Sequence, residues 1–377
     1  MANLSFGGHS GAHDGTAVVE RYIDQLVGPN KPGKAVVTVA GNDGEKDIHA
    51  FVQSSSAGGE MDVLIPGYSA QAGSDNDYVQ IDGWYSGVKK VAITVISPGG
   101  AIYGPVSAGQ YTDKKGGEGS VYIWNGFYEE KEGYISGTNP FNGDREFYIE
   151  IGDAAGASPP RQGTWQILLK GDATDVHAWI SSTTLNAGFS LGRNDNYKVS
   201  IPGTSKNGIC VAAYTTKEVW DDMDGHHLTI DTRGTIQISA IASFSSPGPA
   251  RYSTPRKPDL AAPGQIIGST FSRDALPDNG SSIFVSGSRE YPNAFILGDR
   301  VHAMSSGTSM AAPHVAGVIA LILQKHPEAS AGQIRSILAA TGPLNRRDDV
   351  NRRGRGRVDA FAVLSADSGT EPHVRVQ

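Results

Sequence analysis

The run Gly307-Thr308-Ser309-Met310-Ala311-Ala312-Pro313-His314-Val315-Ala316-Gly317 puts a serine at the start of a stretch that reads as a long helix. A serine in that position sits beside backbone N–H groups that have no acceptor within the helix, and beside the positive end of the helix dipole. That setting suits an oxyanion forming next to Oγ, and the small residues around it let a substrate approach. Pro313 lies close enough to the first turn for its missing N–H to cost little. The chemistry would be nucleophilic attack on a carbonyl; the plain alternative is a capped, buried helix. A free serine hydroxyl is a poor nucleophile at neutral pH, so this chemistry also needs a base and a group that orients the base.

The histidines supply no obvious base. His314 follows Ser309 by five residues on the same helix, points away from the serine's face and reads as a packing residue. In His9-Ser10-Gly11-Ala12-His13-Asp14-Gly15-Thr16, Asp14 or Thr16 is expected to cap a helix starting near Ala17, which leaves the histidines as loop residues. His226 and His227 stand near Asp221, Asp222 and Asp224 without a recognised metal-ligand spacing, so a solvated loop is expected. Asp75-Asn76-Asp77 and Asn194-Asp195-Asn196 are oxygen-rich, but turns favour the same residues; calcium is compatible with them and is assigned to neither, and no cofactor is required. Gly41-Asn42, after an apolar strand, reads by itself as a turn.

The elements around these residues fall into three segments. Over residues 1–50, Asn3 to Phe6 and Ala35 to Ala40 read as strands. Between them, Ala17 to Val27 carries Val18, Val19, Tyr22, Ile23 and Leu26 at helical spacing. This βαβ pattern builds a parallel sheet, whose sites collect at the strand C-termini. Residues 51–195 give short alternating runs such as Val91 to Val95, Glu146 to Ile151 and Trp165 to Leu169, separated by turn residues. They predict an inserted antiparallel β-sandwich or jelly-roll domain. From 196 to 377 the α/β texture returns, with a strand from Gly208 to Tyr214, the Ser309 helix, and a helix with capping-box spacing at Ser330 and Gln333, a buried stripe of Ile334, Ile337 and Leu338, and Gly342-Pro343 at its end.

Composition narrows the function classes. The chain has 377 residues, 38% of them apolar, enough for a buried core, and its apolar runs stop far short of the roughly 20 residues that span a bilayer. A net charge of −7 opposes binding to nucleic acid. The arginines at 346, 347, 352, 353, 355 and 357 form a basic cluster that Asp348 and Asp349 interrupt, which reads as a charged surface loop. Cys210 rules out an internal disulfide and reads as a small buried hydrophobe. No secretory signal follows Met1.

In this setting the motifs show a resemblance. Gly307 to Gly317 resembles, nearly residue for residue, the serine motif of the subtilisin-like serine proteases, the subtilases. Val39-Ala40-Gly41-Asn42-Asp43-Gly44 resembles their oxyanion-hole segment, and Asn3-Leu4-Ser5-Phe6-Gly7-Gly8 their substrate-pairing edge strand. Phe244 to Pro249 and Lys257 to Gly264 resemble loops leading to the serine helix, and Gly354 to Ala360 the closing turn. The His-Asp-Gly-Thr loop and the β insertion are similar to an insertion-bearing branch that includes bacterial spore-germination subtilases. The resemblance implies Ser309 as nucleophile and Asn42 as donor to the tetrahedral intermediate. It implies substrate contacts at Ser5, Phe6, Gly7 and Gly41, polypeptide substrates, and an extracellular or cell-envelope location.

The family's aspartate and histidine motifs, the latter His-Gly-Thr-His-Val-Ala-Gly, precede the segment with which this chain opens, and neither occurs in it. The parallel-sheet domain is therefore expected to be N-terminally incomplete, with a missing N-terminal segment or prodomain as partner and the chain inactive alone. The first strand is also expected to belong inside a sheet, leaving apolar surface uncovered. The alternative reading is a non-catalytic subtilase scaffold whose β insertion serves partner binding or regulation.

Overall fold

The computed structural model describes residues 1–126, 128–129, 134–135, 137–230, 236–252, 255–272, 274–275, 282, 284, 286, 288–342 and 349–365. Pro343, Arg346, Arg347 and Asp348, considered above, lie outside them. The chain divides into two compact units: Met1–Gly7, Val19–Glu45 and Pro202–Gln377 form one, Gly8–Val18 and Lys46–Ile201 the other.

The chain opens with strand β1 (Ala2–Leu4), helix α1 (Val18–Leu26) and strand β2 (Val36–Val39). Thirteen strands follow. They are β3 (His49–Ser54), β4 (Gly59–Ile65), β5 (Tyr78–Ser86), β6 (Val91–Ile96), β7 (Ile102–Val106), β8 (Gln110–Gly116), β9 (Gly119–Asn125), β10 (Tyr128–Glu129), β11 (Tyr134–Ile135), β12 (Asp144–Gly152), β13 (Gly163–Gly171), β14 (Thr174–Thr183) and β15 (Gly188–Leu191). Beyond them come β16 (Ile209–Thr215), β17 (Val219–Asp221), β18 (His227–Thr229), β19 (Leu260–Gln265), β20 (Ile267–Thr270) and β21 (His302–Ser305). The helices α2 (Thr308–Lys325), α3 (Ala331–Thr341), α4 (Val350–Arg353) and α5 (Ala360–Ser365) close the chain.

In the first unit β1, β2, β16 and β19 form a parallel sheet in that order, with Leu4 opposite Thr38, Val39 opposite Val211 and Ala213 opposite Ala262. Val37, Val39, Val211, Ala213 and Ala262 share one core with Ala311, Ala312, Val315 and Ile319 of α2. Alanines on both surfaces let the helix backbone lie close to the sheet, and this fixes where Ser309 stands. Gly264 completes the fit, because a Cβ there would meet Ala213 Cβ at 2.5 Å and Gly307 O at 2.9 Å.

One expectation for this unit is corrected. The apolar stripe of α1 is not its covered face. Ile23 and Glu20 are buried, Glu20 against Thr204, whereas Val18, Val19, Tyr22 and Leu26 are exposed. Helical spacing shows that an apolar face exists, but not that a partner lies on it. In the second unit, the histidines before α1 are loop residues, as expected, and they are buried. His13 is 1% exposed and stacks on Trp179 at 4.1 Å, with His9 stacked on His13 at 5.2 Å.

In the second unit, β3, β14, β5, β12, β9 and β8 form one antiparallel sheet, and β15, β4, β13, β6 and β7 another. Their alternating inward residues, among them Met61, Val63, Ile81, Ile93, Phe147, Ile149, Trp165 and Ile167, make one core. The two-residue period seen in the sequence is the inside-outside alternation of these strands.

Candidate active site

Ser309 is the second residue of α2, where a backbone N–H has no acceptor within the helix. Its Oγ donates to the carbonyl of Ser5 at 3.1 Å, and Ser5 Oγ donates to the carbonyl of Ser309 at 3.0 Å. Pro313 explains the second bond. It lies inside α2 and lacks the N–H that would have bonded the carbonyl four residues earlier, which is that of Ser309. The proline thus has a structural consequence beyond the small cost expected from the sequence: the carbonyl it leaves free is the one that ties Ser309 to Ser5.

Asn42 follows β2 and is exposed, with its side-chain oxygen anchored. Asn42 Oδ1 accepts from Thr308 N at 2.9 Å and from Thr308 Oγ1 at 3.0 Å, and Thr308 Oγ1 in turn accepts from Gly41 N at 3.2 Å. With Oδ1 occupied, the amide nitrogen Nδ2 is the end of Asn42 left to donate. Gly41 has φ of 105°, a backbone that carries a side chain poorly and turns the chain from β2 back toward α2. Gly307 leaves room for the amide: a Cβ there would stand 3.2 Å from Asn42 Nδ2. The loop at Phe244 to Ser246 braces the segment from behind. Ser246 N donates to Gly41 O at 3.0 Å, Asp43 N to Ser246 Oγ at 2.9 Å and Gly44 N to Phe244 O at 2.8 Å.

The structure therefore brings Ser309, Asn42, Gly41 and Ser5 together. Phe6 and Gly7 continue outward from Ser5 beyond the end of β1, both exposed, with Phe6 58% accessible. Thr308 is a member of the site that sequence reasoning left without a role. It is 1% exposed and links Asn42 to the start of α2; its place beside Ser309 was the available signal.

A second buried cluster holds the sheet that carries the site. Asp259 Oδ2 accepts from Lys257 Nζ at 2.8 Å and from Cys210 N at 2.8 Å, and Asp259 Oδ1 from Arg335 Nε at 2.6 Å. Burial by itself would raise the Asp259 carboxyl, but the charges of Lys257 and Arg335 hold it below the usual carboxylate range. Burial pushes the neighbouring Cys210 thiol up to about 12, which suits an inert core residue.

The other candidates from the sequence are held in local contacts of their own. His314 is exposed rather than packed, with Nδ1 2.9 Å from Met310 O. Asp222 Oδ1 accepts from the backbone N–H groups of Asp224 and His226, and His226 Nδ1 lies 2.9 Å from Asp222 Oδ2. His227 belongs to β18, so this polar run closes a hairpin with β17. Asp14 Oδ1 accepts from Thr16 N at 3.0 Å, ahead of α1. Asp77 is 1% exposed and its Oδ2 accepts from Gln71 N at 2.8 Å, as in a folded turn.

Comparison with known proteins places this arrangement. Residues 160–360 match the Subtilase family, more than half of the chain, and the chain belongs to that family. It is 30% identical over 183 residues to the serine protease AprX of Bacillus subtilis, covering 48% of this chain and 35% of AprX. It is 37% identical over 99 residues to the subtilisin-like protease SBT2.6 of Arabidopsis thaliana, covering 26% of this chain and 10% of that protein. The chain thus spans well under two thirds of these curated relatives. The CspB protease of Clostridium perfringens has a similar fold, with a TM-score of 0.71 over 98% of this chain and 67% of CspB at 20% identity. No described helix is long and apolar enough to cross a membrane.

Proposed function

We propose that the chain carries the nucleophile and oxyanion half of a serine endopeptidase that hydrolyses peptide bonds through an acyl-enzyme on Ser309. The observation that carries this reading is the anchoring of Asn42 by Thr308 beside the first turn of α2. An oxyanion formed at Ser309 would meet Asn42 Nδ2 and the Ser309 N–H, donors held in place before the reaction begins. Ser5 to Gly7 would pair with the extended substrate backbone. The Ser309 hydroxyl bonds a carbonyl, which cannot take its proton, so attack requires a base from elsewhere. The histidine and its orienting aspartate are supplied from outside these 377 residues, and the chain alone is inactive or nearly so. The antiparallel sandwich is read as the jelly-roll insertion of the family branch noted above, and the place of work as extracellular or at the cell envelope.

The test is hydrolysis of an unstructured protein such as casein by the chain with and without a segment bearing the missing motifs. Hydrolysis is expected in the mixture and not in the chain alone. It should disappear with Ser309→Ala. Loss of no activity on that substitution would refute the assignment.

A further inference from the structure

The sandwich unit contains a cavity of about 260 Å³ that the proteolytic reading does not use. Its floor is the face of β5 and β12 turned away from the sandwich core. Asp82 lies opposite Tyr148 and Trp84 opposite Glu146, so both carboxyls stand on one face, while Ile81, Phe147 and Ile149 fill the core on the other. The loop before α1 covers this face: Gly11 N donates to Asp82 Oδ2 at 2.5 Å, and Ala12 packs with Trp84 and Trp179. Ser10, Thr16 and Asn139 add oxygen atoms to the lining.

Two features point to an occupant. Asp82 is 3% exposed and shares the cavity with Glu146, and two carboxylates so placed repel each other in a low dielectric. Trp84 lines the same cavity at 2% exposure, and its indole Nε1 is buried and makes no hydrogen bond. An indole N–H donates, and buried donors of this kind are seldom left unused.

We propose that this cavity binds a small organic cation, a primary ammonium group between Asp82 and Glu146 on a short aliphatic stem that also carries an oxygen acceptor for the Trp84 N–H. The ammonium offers three donors to carboxylate and hydroxyl acceptors, and the indole face adds cation–π attraction. Alanine and aromatic walls suit the stem, and fit an organic cation better than calcium, which takes six to eight oxygens. Burial, with the Asp82 charge added, pushes the Glu146 carboxyl up to about 9, so without a cation the pair is expected to keep a proton near neutrality.

The experiment is calorimetric titration of the 377-residue chain at pH 8 with 3-amino-1-propanol and with its isostere n-butylamine, both ammonium ions at that pH. Saturable binding of the amino alcohol is expected, with the butylamine weaker. Glu146→Gln, which keeps the side-chain volume, should weaken the amino alcohol at least tenfold, about the effect of one charge-assisted hydrogen bond. Trp84→Phe should level the two amines while circular dichroism stays unchanged. No saturable binding of either amine up to about 10 mM would overturn the proposal. So would binding that survives Glu146→Gln, or calcium binding at the site in place of the amines.

Discussion

Ser309, Thr308 and Asn42 form a chain in which each residue fixes the next, and substitutions along it should have graded effects. In the reconstituted enzyme, Asn42→Ala is expected to lower kcat by about 10² to 10³ with KM little changed, the range already known for the equivalent donor in subtilisin. Thr308→Val removes the hydroxyl that donates to Asn42 Oδ1 and accepts from Gly41 N, while the bond from the Thr308 backbone N–H remains, so the donor stays in place but is held more loosely. A smaller loss in kcat, about tenfold, is expected from steady-state kinetics, and a change confined to KM would show that Thr308 does not position Asn42. Ser5→Ala leaves the Ser309 carbonyl without the partner that Pro313 makes necessary. The expected cost is about 1 kcal/mol in urea unfolding, and an unchanged midpoint would mean that water replaces Ser5 there.

At the scale of elements, two acidic groups set opposite pH dependences. Asp259 has a lowered pKa in the folded chain, so its contribution is present above the ordinary carboxylate range and is lost as pH falls through that range and below it. Asp259→Ala strands the buried Lys257 charge and takes the carboxylate from the partly exposed Arg335, and should cost about 3–5 kcal/mol at pH 7 and less at pH 3, read by chemical denaturation. Glu146 has a raised pKa, so its contribution is fullest below about 4.5 and is lost as pH rises toward about 9. Glu146→Gln should therefore stabilise the chain at pH 8 more than at pH 4; the reverse order would contradict its burial beside Asp82. The elements themselves were legible where local pattern decides them. Ser330 and Gln333 form the capping box their spacing announces, and the period-two runs such as Val91 to Val95 became strands. The site was legible because Ser309, Asn42 and Ser5 sit in distinctive short motifs. Illegible were features made by distant residues: Thr308 as the anchor of Asn42, the pairing of Ser5 with the carbonyl freed by Pro313, and the burial of His13 against Trp179. Each depends on a contact between segments far apart in the chain, which periodicity does not encode.

At the scale of the molecule, β1 lies at the edge of the parallel sheet, and Val19, Tyr22 and Leu26 present apolar surface on α1. An uncovered strand edge and an exposed apolar stripe favour association. The 377-residue chain is expected to self-associate in analytical ultracentrifugation, and Tyr22→Lys with Leu26→Lys should reduce this without lowering the melting temperature. A fully monomeric chain would count against the stripe as a covering surface. The same logic joins the surface to catalysis, since the reading requires a base and its aspartate from outside the chain. The most direct measurement is labelling with a fluorophosphonate followed by intact-mass and peptide mapping, on the chain alone and after addition of the segment bearing the aspartate and histidine motifs. No adduct is expected on the chain alone, and an adduct on Ser309 is expected in the mixture. An adduct on the chain alone would contradict the missing base, and no adduct in the mixture would contradict Ser309 as the nucleophile.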